Sequence, residues 1–344
     1  MRKYIIIGLL FIFLFTCLLE AQNVSSPEQV GTSMANFLKI GVGARALAMG
    51  DAYVALADDI TSLYWNPGCL DRIPKNEMVT QYIDWILDSQ IYFIGIGYKV
   101  PMIGTFGVSV HYFSSGEMEE TTLQEPEGTG RTFTASDMSL GLTYSKQITD
   151  RFSTGITVKY IQETLSRESA STFAFDIGNI FETNFFNNMR IGMSLSNLGG
   201  TMRLQGVELE RQYATNPDFP TKVTRANLKT QDWNIPLFFR LGVATNVIEN
   251  EQYRITVSSE VMDSRDYIHR ISVGSEIAFW EKTFLRVGYK FNNDERNITL
   301  GGGVNLPMGS SDLKINYGYG NFGVFNNTQR FSLIYAFQRS LIYK

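Results

Sequence analysis

Of the side chains that most often ligate metals or form nucleophile–base pairs, the 344-residue chain holds two histidines and two cysteines. His111 and His269 fall on different predicted strands. Ser109 shares a strand face with His111, but no carboxylate partner is evident; His269 lies on an apolar face beside Ile271 and Val273. A Ser–His nucleophile or a zinc site needs more than this, so no catalytic residue, no metal and no cofactor is expected. Gly41-Val42-Gly43 and Gly301-Gly302-Gly303 lack the strand–loop–helix order of a nucleotide loop. The triple glycine reads as close packing or a bend. Asp58-Asp59 has no spaced oxygen ligands of the kind a calcium loop supplies, and reads as capping and turn chemistry. Charge of one sign is missing too: the formal net charge is −4 and no basic patch stands out, so no nucleic-acid partner is expected.

Only the first segment, MRKYIIIGLLFIFLFTCLLEAQ, is a long apolar run. Arg2 and Lys3 precede it, and Leu19-Glu20-Ala21 offers a cleavage site before Gln22, the layout of a secretory signal peptide over residues 1–21. An uncleaved anchor and a lipoprotein signal at Cys17 are the competing readings; Phe15-Thr16 before Cys17 fits the latter poorly. After cleavage Cys69 is the one remaining cysteine, which excludes an internal disulfide. No later stretch approaches the ~18 consecutive apolar residues of a spanning helix. Two destinations remain: a soluble exported protein or a transmembrane β-barrel.

Aromatics are abundant at 13%, and glycine numbers 30. From about Met78 onward the dominant period is two. In RFSLIYAF, Phe331, Leu333, Tyr335 and Phe337 share one face and Ser332, Ile334 and Ala336 the other. The same alternation sets Leu285, Val287, Tyr289 and Phe291 against Arg286, Gly288 and Lys290. Fourteen such segments are predicted, at roughly 76–86, 89–100, 103–115, 132–147, 151–165, 171–183, 188–198, 236–247, 251–263, 267–280, 282–292, 296–306, 311–320 and 328–338. An even number suits a bacterial outer-membrane barrel. At ~3.3 Å per residue and ~45° tilt, about eleven residues cover a lipid band of about 25 Å. The two long links, Gly116–Arg131 and Gly199–Ile235, both follow odd-numbered strands, so both emerge at one end, as long extracellular loops do. The fold class expected is therefore all-β, a 14-stranded antiparallel transmembrane β-barrel over residues 76–338, with a short tail at 339–344. Arg254, Glu260, Arg270, Glu276, Arg286 and Lys290 would face the lumen, and outer-membrane lipid would meet the apolar faces.

Residues 34–75 do not alternate. Small residues crowd them, and Asp59 is placed to cap a turn over Ile60–Tyr64 ended by Asn66-Pro67. A Gly/Ala-rich stretch can pack closely in a confined space, so residues 22–75 read as a plug or inner lining near the periplasmic end, with Tyr64 and Trp65 as wall anchors. Tyr64–Gly68 would be the hinge into the first strand.

The stretch ARALAMGDAYVALADDITSLYWNPGCL resembles the N-terminal signature of the PorV/PorQ family, within the FadL-like group of outer-membrane barrels. The matching positions are Gly43, Ala44, Arg45, Met49, Gly50, Ala57, Asp58, Asp59, Trp65, Asn66, Pro67 and Gly68; Asn-Pro-Gly-Cys stands where the family carries Asn-Pro-Ala-Gly. Tyr335-Ala336-Phe337 resembles the aromatic ending read by barrel-assembly machinery, here followed by a tail ending Tyr343-Lys344. The PorV resemblance implies a non-enzymatic accessory of type IX protein secretion, meeting translocon and cargo proteins through loops 116–131 and 199–235. The acidic residues Glu117, Glu119, Glu120, Glu125 and Glu127 in the first of these suit a basic partner or simply solvent. The FadL-like resemblance implies the alternative, transport of a hydrophobic small molecule.

Overall fold

The computed structural model describes residues 31–214, 223–291, 298–321 and 327–337. The leader and the C-terminal tail lie outside the described residues.

Fourteen long strands run antiparallel, each beside the next. They are β1 (Asn76–Asp84), β2 (Gln90–Val100), β3 (Gly104–Glu119), β4 (Thr132–Thr149), β5 (Phe152–Leu165), β6 (Glu168–Glu182) and β7 (Arg190–Gly199). They continue as β8 (Phe238–Glu249), β9 (Tyr253–Ser264), β10 (Tyr267–Phe279), β11 (Thr283–Phe291), β12 (Ile298–Met308), β13 (Ser311–Asn321) and β14 (Asn327–Phe337). The ring closes where β1 pairs with β14, from Asn76 opposite Phe337 to Ile83 opposite Arg330. Closure leaves no strand edge in lipid, which is why a sheet can span a membrane at all.

The period-two pattern sorts side chains across the wall. Leu285, Val287, Leu300, Phe331, Leu333 and Tyr335 are exposed on the outside. Glu276, Arg286, Lys290, Arg330 and Ser332, which alternate with such residues along β10, β11 and β14, are buried inside. Several strands place directly opposed glycines on the inner face: Gly97–Gly107, Gly155–Gly178, Gly192–Gly242, Gly274–Gly288 and Gly301–Gly318. These pairs leave room for a second layer of chain.

The links differ from expectation in detail. β3 runs to Glu119, so Gly116–Glu119, predicted as loop, pairs with β4 above the rim: Glu117 lies opposite Thr134 and Glu119 opposite Thr132. The long link after β7 is not bare loop. Thr201–Met202 pairs with Trp233–Asn234, Glu210–Ala214 with Val223–Asn227, and Gln205–Gly206 adds to β6. Both long links stand at one end of the barrel, which the outer-membrane rule makes extracellular.

Candidate functional site

The segment before β1 packs against the inner face of the ring. It comprises a 3-10 turn at Asn36–Lys39, a short helix at Ala44–Ala48, another at Ser62–Trp65 and a 3-10 turn at Pro67–Arg72. Almost every apolar residue from Met34 to Ile73 is buried. In place of the predicted turn over Ile60–Tyr64 there is a short helix at Ser62–Trp65. Asp59 shapes its approach: Asp59 Oδ1 accepts from the Thr61 backbone N–H at 2.9 Å, and the Asp59 carbonyl accepts from Ser62 N at 3.0 Å. Tyr64–Gly68 is not itself the junction with β1. Asn66 Oδ1 accepts from Gly68 N at 3.0 Å and Pro67 takes the first position, so a further turn is capped and started there.

The segment also extends beyond the periplasmic end. Ser33 bridges to Asn234 in the long extracellular link, and Met34 N donates to the Asn234 carbonyl at 3.0 Å. Lys39 and Ser33 both bond the Asp266 carboxylate in the turn between β9 and β10. At the other end, Asp71 accepts from Gln147 N at 2.8 Å and from Thr105 Oγ1 at 2.5 Å, and Lys75 pairs with Asp312 at 2.5 Å. The chain thus runs the height of the lumen, because it carries matched partners for both rims.

The motif residues sit where wall and segment meet. Arg45 makes a two-point ion pair with Glu276, at 2.9 and 3.1 Å, and also bonds Asp58. Asp58 faces Arg190 as well, at 3.6 Å. Tyr53 donates its hydroxyl to Asp59 at 2.7 Å. Trp65 donates its indole N–H to the Val42 carbonyl at 2.7 Å. Beside it the guanidinium of Arg240 lies 5.3 Å from the Trp65 ring, 5.6 Å from Tyr64 and 4.8 Å from Phe238. The aromatic weight of this turn is therefore a cage for a buried cation. Asn66 donates from Nδ2 to the carbonyls of Val54 and Asn179, at 2.9 and 3.0 Å.

Gly50 and Gly68 answer to the inward glycines of the wall. A Cβ on Gly68 would lie 2.5 Å from the Gly178 carbonyl oxygen, and one on Gly288 would lie 2.6 Å from Gly50 Cα. Backbone meets backbone at both places, so no side chain fits.

Of the charged strand residues singled out in sequence, Glu260, Glu276, Arg286 and Lys290 are buried, and Arg254 and Arg270 are half-buried. Glu260 accepts from Tyr53 N and Val54 N, each at 2.8 Å, and pairs with Arg240 at 3.7 Å. Arg286 and Arg254 share Glu276 with Arg45, at 2.6 and 3.4 Å. Lys290 bonds Asp51, and Arg270 stands 3.7 Å from the same carboxylate. Burial alone would raise the Asp51 pKa; Lys290, Arg270 and Arg330 outweigh it and hold the group well below the usual carboxylate range. Sequence reading passed over Asp51, Glu77 and Arg330. Glu77 accepts from Ile60 N at 2.9 Å and from Lys314 at 2.7 Å, and Arg330 donates to the Gly41 carbonyl at 2.5 Å. Their inward positions in alternating strands were the available signal for the last two.

His111 is buried among the rings of Phe37, Tyr64 and Phe93, with centroids 5.2 to 6.1 Å away, and neither ring nitrogen has a hydrogen-bond partner. His269 lies on the outer face, 2.8 Å from Asp263. Among the described residues no cluster of His, Cys, Asp and Glu could hold a metal ion. The arrangement is built to hold chain against wall.

Residues 23–222 match the family described as Type IX secretion system protein PorV. No curated protein sequence matches the chain. The fold is similar to those of solved outer-membrane proteins. With the Pseudomonas putida toluene transporter TodX, identity is 12% and the TM-score 0.53, covering 86% of this chain and 96% of that one. With the Ralstonia pickettii toluene transporter TbuX, identity is 12% and the TM-score 0.51, covering 86% and 97%. With the CymD monoaromatic hydrocarbon channel, identity is 11% and the TM-score 0.55, covering 87% and 98%. At these identities the likeness concerns the fold alone.

Proposed function

Because this chain belongs to the family of the type IX secretion system protein PorV, we propose that it is an outer-membrane accessory of protein secretion whose working parts are its extracellular surfaces. The barrel is exported behind the leader at residues 1–21. Residues 22–75 serve as a fixed plug, fastened by Arg45, Gly50, Asp58, Asp59, Trp65, Asn66, Pro67 and Gly68. Translocon and cargo proteins engage the links 116–131 and 199–235. No catalytic role is assigned to it.

The observation that carries this reading is the bonding of the N-terminal segment to the wall. Glu77, Glu260, Glu276, Lys290 and Arg330 each spend their inward charge on that segment. A lumen occupied in this way offers a platform in preference to a path. The hairpin of β3 and β4 adds a raised edge, since Gln90 of β2 stops opposite Ser114 and Leu165 of β5 stops opposite Ala135.

The test is affinity purification of the tagged, full-length protein from its native membrane, with and without residues 121–130. Recovery of a translocon component or exported cargo that is lost on deletion supports the reading. Recovery of neither by the intact protein removes it. Similarity in fold to toluene transporters favours a second reading, passage of a hydrophobic compound; saturable binding of an aromatic or long-chain compound by the purified barrel would then be the result.

A further inference from the structure

We propose that the long link after β7 forms, with the upper end of β6, a binding site for a neutral sugar unit, in a cavity of about 320 Å³. Three pieces of chain line it: Ser169 and Ser171 of β6, Thr201, Arg203 and Gln205 of the link, and Asp232 near the return to β8. Small-ligand sites commonly enclose about 300–1,000 Å³.

Alternation builds this face. Ala170 and Met202 are buried in one apolar cluster, and Leu204 packs against it. Neighbours along an extended chain turn the other way. Ser169 and Ser171 therefore flank Ala170 on the opposite face, and Thr201, Arg203 and Gln205 flank Met202 and Leu204. Ser169 pairs with Gln205 in the sheet, which sets the two surfaces side by side. Arg203 closes the third side by a two-point pair with Asp232, Nε to Oδ1 at 2.8 Å and Nη2 to Oδ2. Short side chains on β6 and at Thr201 leave the space.

The lining identifies the ligand by its chemistry. Asp232 neutralises the Arg203 guanidinium, so a phosphate or carboxylate finds no spare positive charge in this cavity. No aromatic or large aliphatic side chain lines it, so a hydrocarbon finds no apolar surface. Hydrogen bonding remains. Ser169, Ser171, Thr201 and Gln205 are exposed, and among the described residues their hydroxyl and amide groups bond no other side chain. These groups both donate and accept, as the ring hydroxyls of a sugar require. A second depression of about 240 Å³ adjoins the first across Arg203 and Gln205, with Leu204, Leu209 and Leu228 in its lining. It offers an apolar bed to the C–H face of a second ring.

Position indicates where such sugars come from. Phe173, next below Ser171 on the same face of β6, is exposed, and its ring lies 5.4 Å from that of Tyr160. Tyr160 donates its hydroxyl to Gln162 Oε1 at 3.4 Å. Rings with polar tips of this kind sit at a bilayer interface. The cavity therefore opens just above the extracellular leaflet, within reach of sugars carried on lipid headgroups and of sugars free in solution. Sugar binding here does not depend on the secretion role proposed above.

The test uses the full-length barrel purified in lauryldimethylamine oxide, a detergent without a sugar headgroup. Binding is measured on an immobilised series of neutral mono- to tetrasaccharides, on intact lipopolysaccharide and on its delipidated polysaccharide. Saturable binding to at least one of them is expected. Ser171→Trp, which fills the cavity from an exposed position, should abolish it with the barrel band shift retained. Thr201→Val together with Gln205→Ala removes two hydrogen-bonding groups and should raise Kd about ten-fold. Binding to the free saccharides identifies the sugar itself as sufficient; binding to the intact glycolipid alone, with the same sensitivity to Ser171→Trp, places the sugar on the leaflet. Binding to none of the three, or binding that Ser171→Trp leaves unchanged, would overturn the proposal. So would competition by inorganic phosphate, which would show an anion site instead.

Discussion

Arg45 and Glu276 meet in a two-point ion pair, with Nε 2.9 Å from Oε2 and Nη2 3.1 Å from Oε1, although 231 residues separate them in sequence. Glu276 is fully buried and also receives Arg286 at 2.6 Å. Removing a partner from such a pair strands charge away from water, which typically costs about 3–5 kcal/mol. Glu276→Ala leaves Arg45, Arg254 and Arg286 facing one another, whereas Arg45→Ala leaves Glu276 with two arginines. The first substitution should destabilise the folded barrel more than the second, read as the shift in denaturant midpoint by band-shift electrophoresis in detergent.

Trp65→Ala empties a fully buried site and removes one wall of the Arg240 cage. Large-to-small changes of this kind cost about 3–5 kcal/mol. Trp65→Phe keeps most of the volume but loses the bond to the Val42 carbonyl, and should cost about 1–2 kcal/mol from the stranded acceptor. The same unfolding measurement ranks the two.

Cys69 provides a native reporter for seating of the segment. It is buried, and burial pushes its thiol up to about 12. Thiols react as thiolates, so maleimide at pH 8 should leave the folded protein unlabelled. Gly288→Val drives a side chain into the Gly50 backbone. That variant should label at Cys69 while retaining its barrel band shift. An unlabelled, folded variant would show that the wall tolerates the intrusion.

Asp266 holds the upper end of the segment. Its partial burial would raise its pKa, but hydrogen bonds from Lys39, Ser33 and Ser264 prevail and depress it. A depressed carboxylate contributes stability above its unfolded pKa of about 3.9 and loses it as pH falls through the lower folded value. Hydrogen exchange over residues 33–40, corrected for intrinsic rates, should therefore stay slow at pH 5 and quicken only below about pH 4. Asp266→Asn should quicken it at pH 7 and leave residues 41–73 unchanged.

Thr32 is exposed at the end that carries the long links. In intact cells a Thr32→Cys variant should react with a membrane-impermeant maleimide, and a Met102→Cys variant should react only after the outer membrane is permeabilised. The opposite result would invert the barrel.

Strand number and facing were legible because a period of two is local: each residue's side follows from its neighbours. Glu260, Glu276, Arg286 and Lys290 are buried at positions that alternate with more exposed apolar residues. The long link after β7 shows no division in sequence because its strands are brief, two residues at Thr201–Met202, too few to show a period. The rise of β3 to Glu119 was hidden by Ser115-Gly116, where the register shifts and the pattern breaks. The N-terminal partners were least legible. Nothing near Asp51 in sequence announces Lys290, and the opposed glycines of separate strands acquire meaning only once their register is known.

The segment enclosed by the wall is also the part made first. Ala44 packs against Gly318 of β13, the last strand but one. Contacts so distant along the chain are slow to form, and a finished ring would have to be threaded. Assembly in this chain is therefore better pictured as wrapping about a mandrel: the early residues wait, and the β1–β14 seam zips around them.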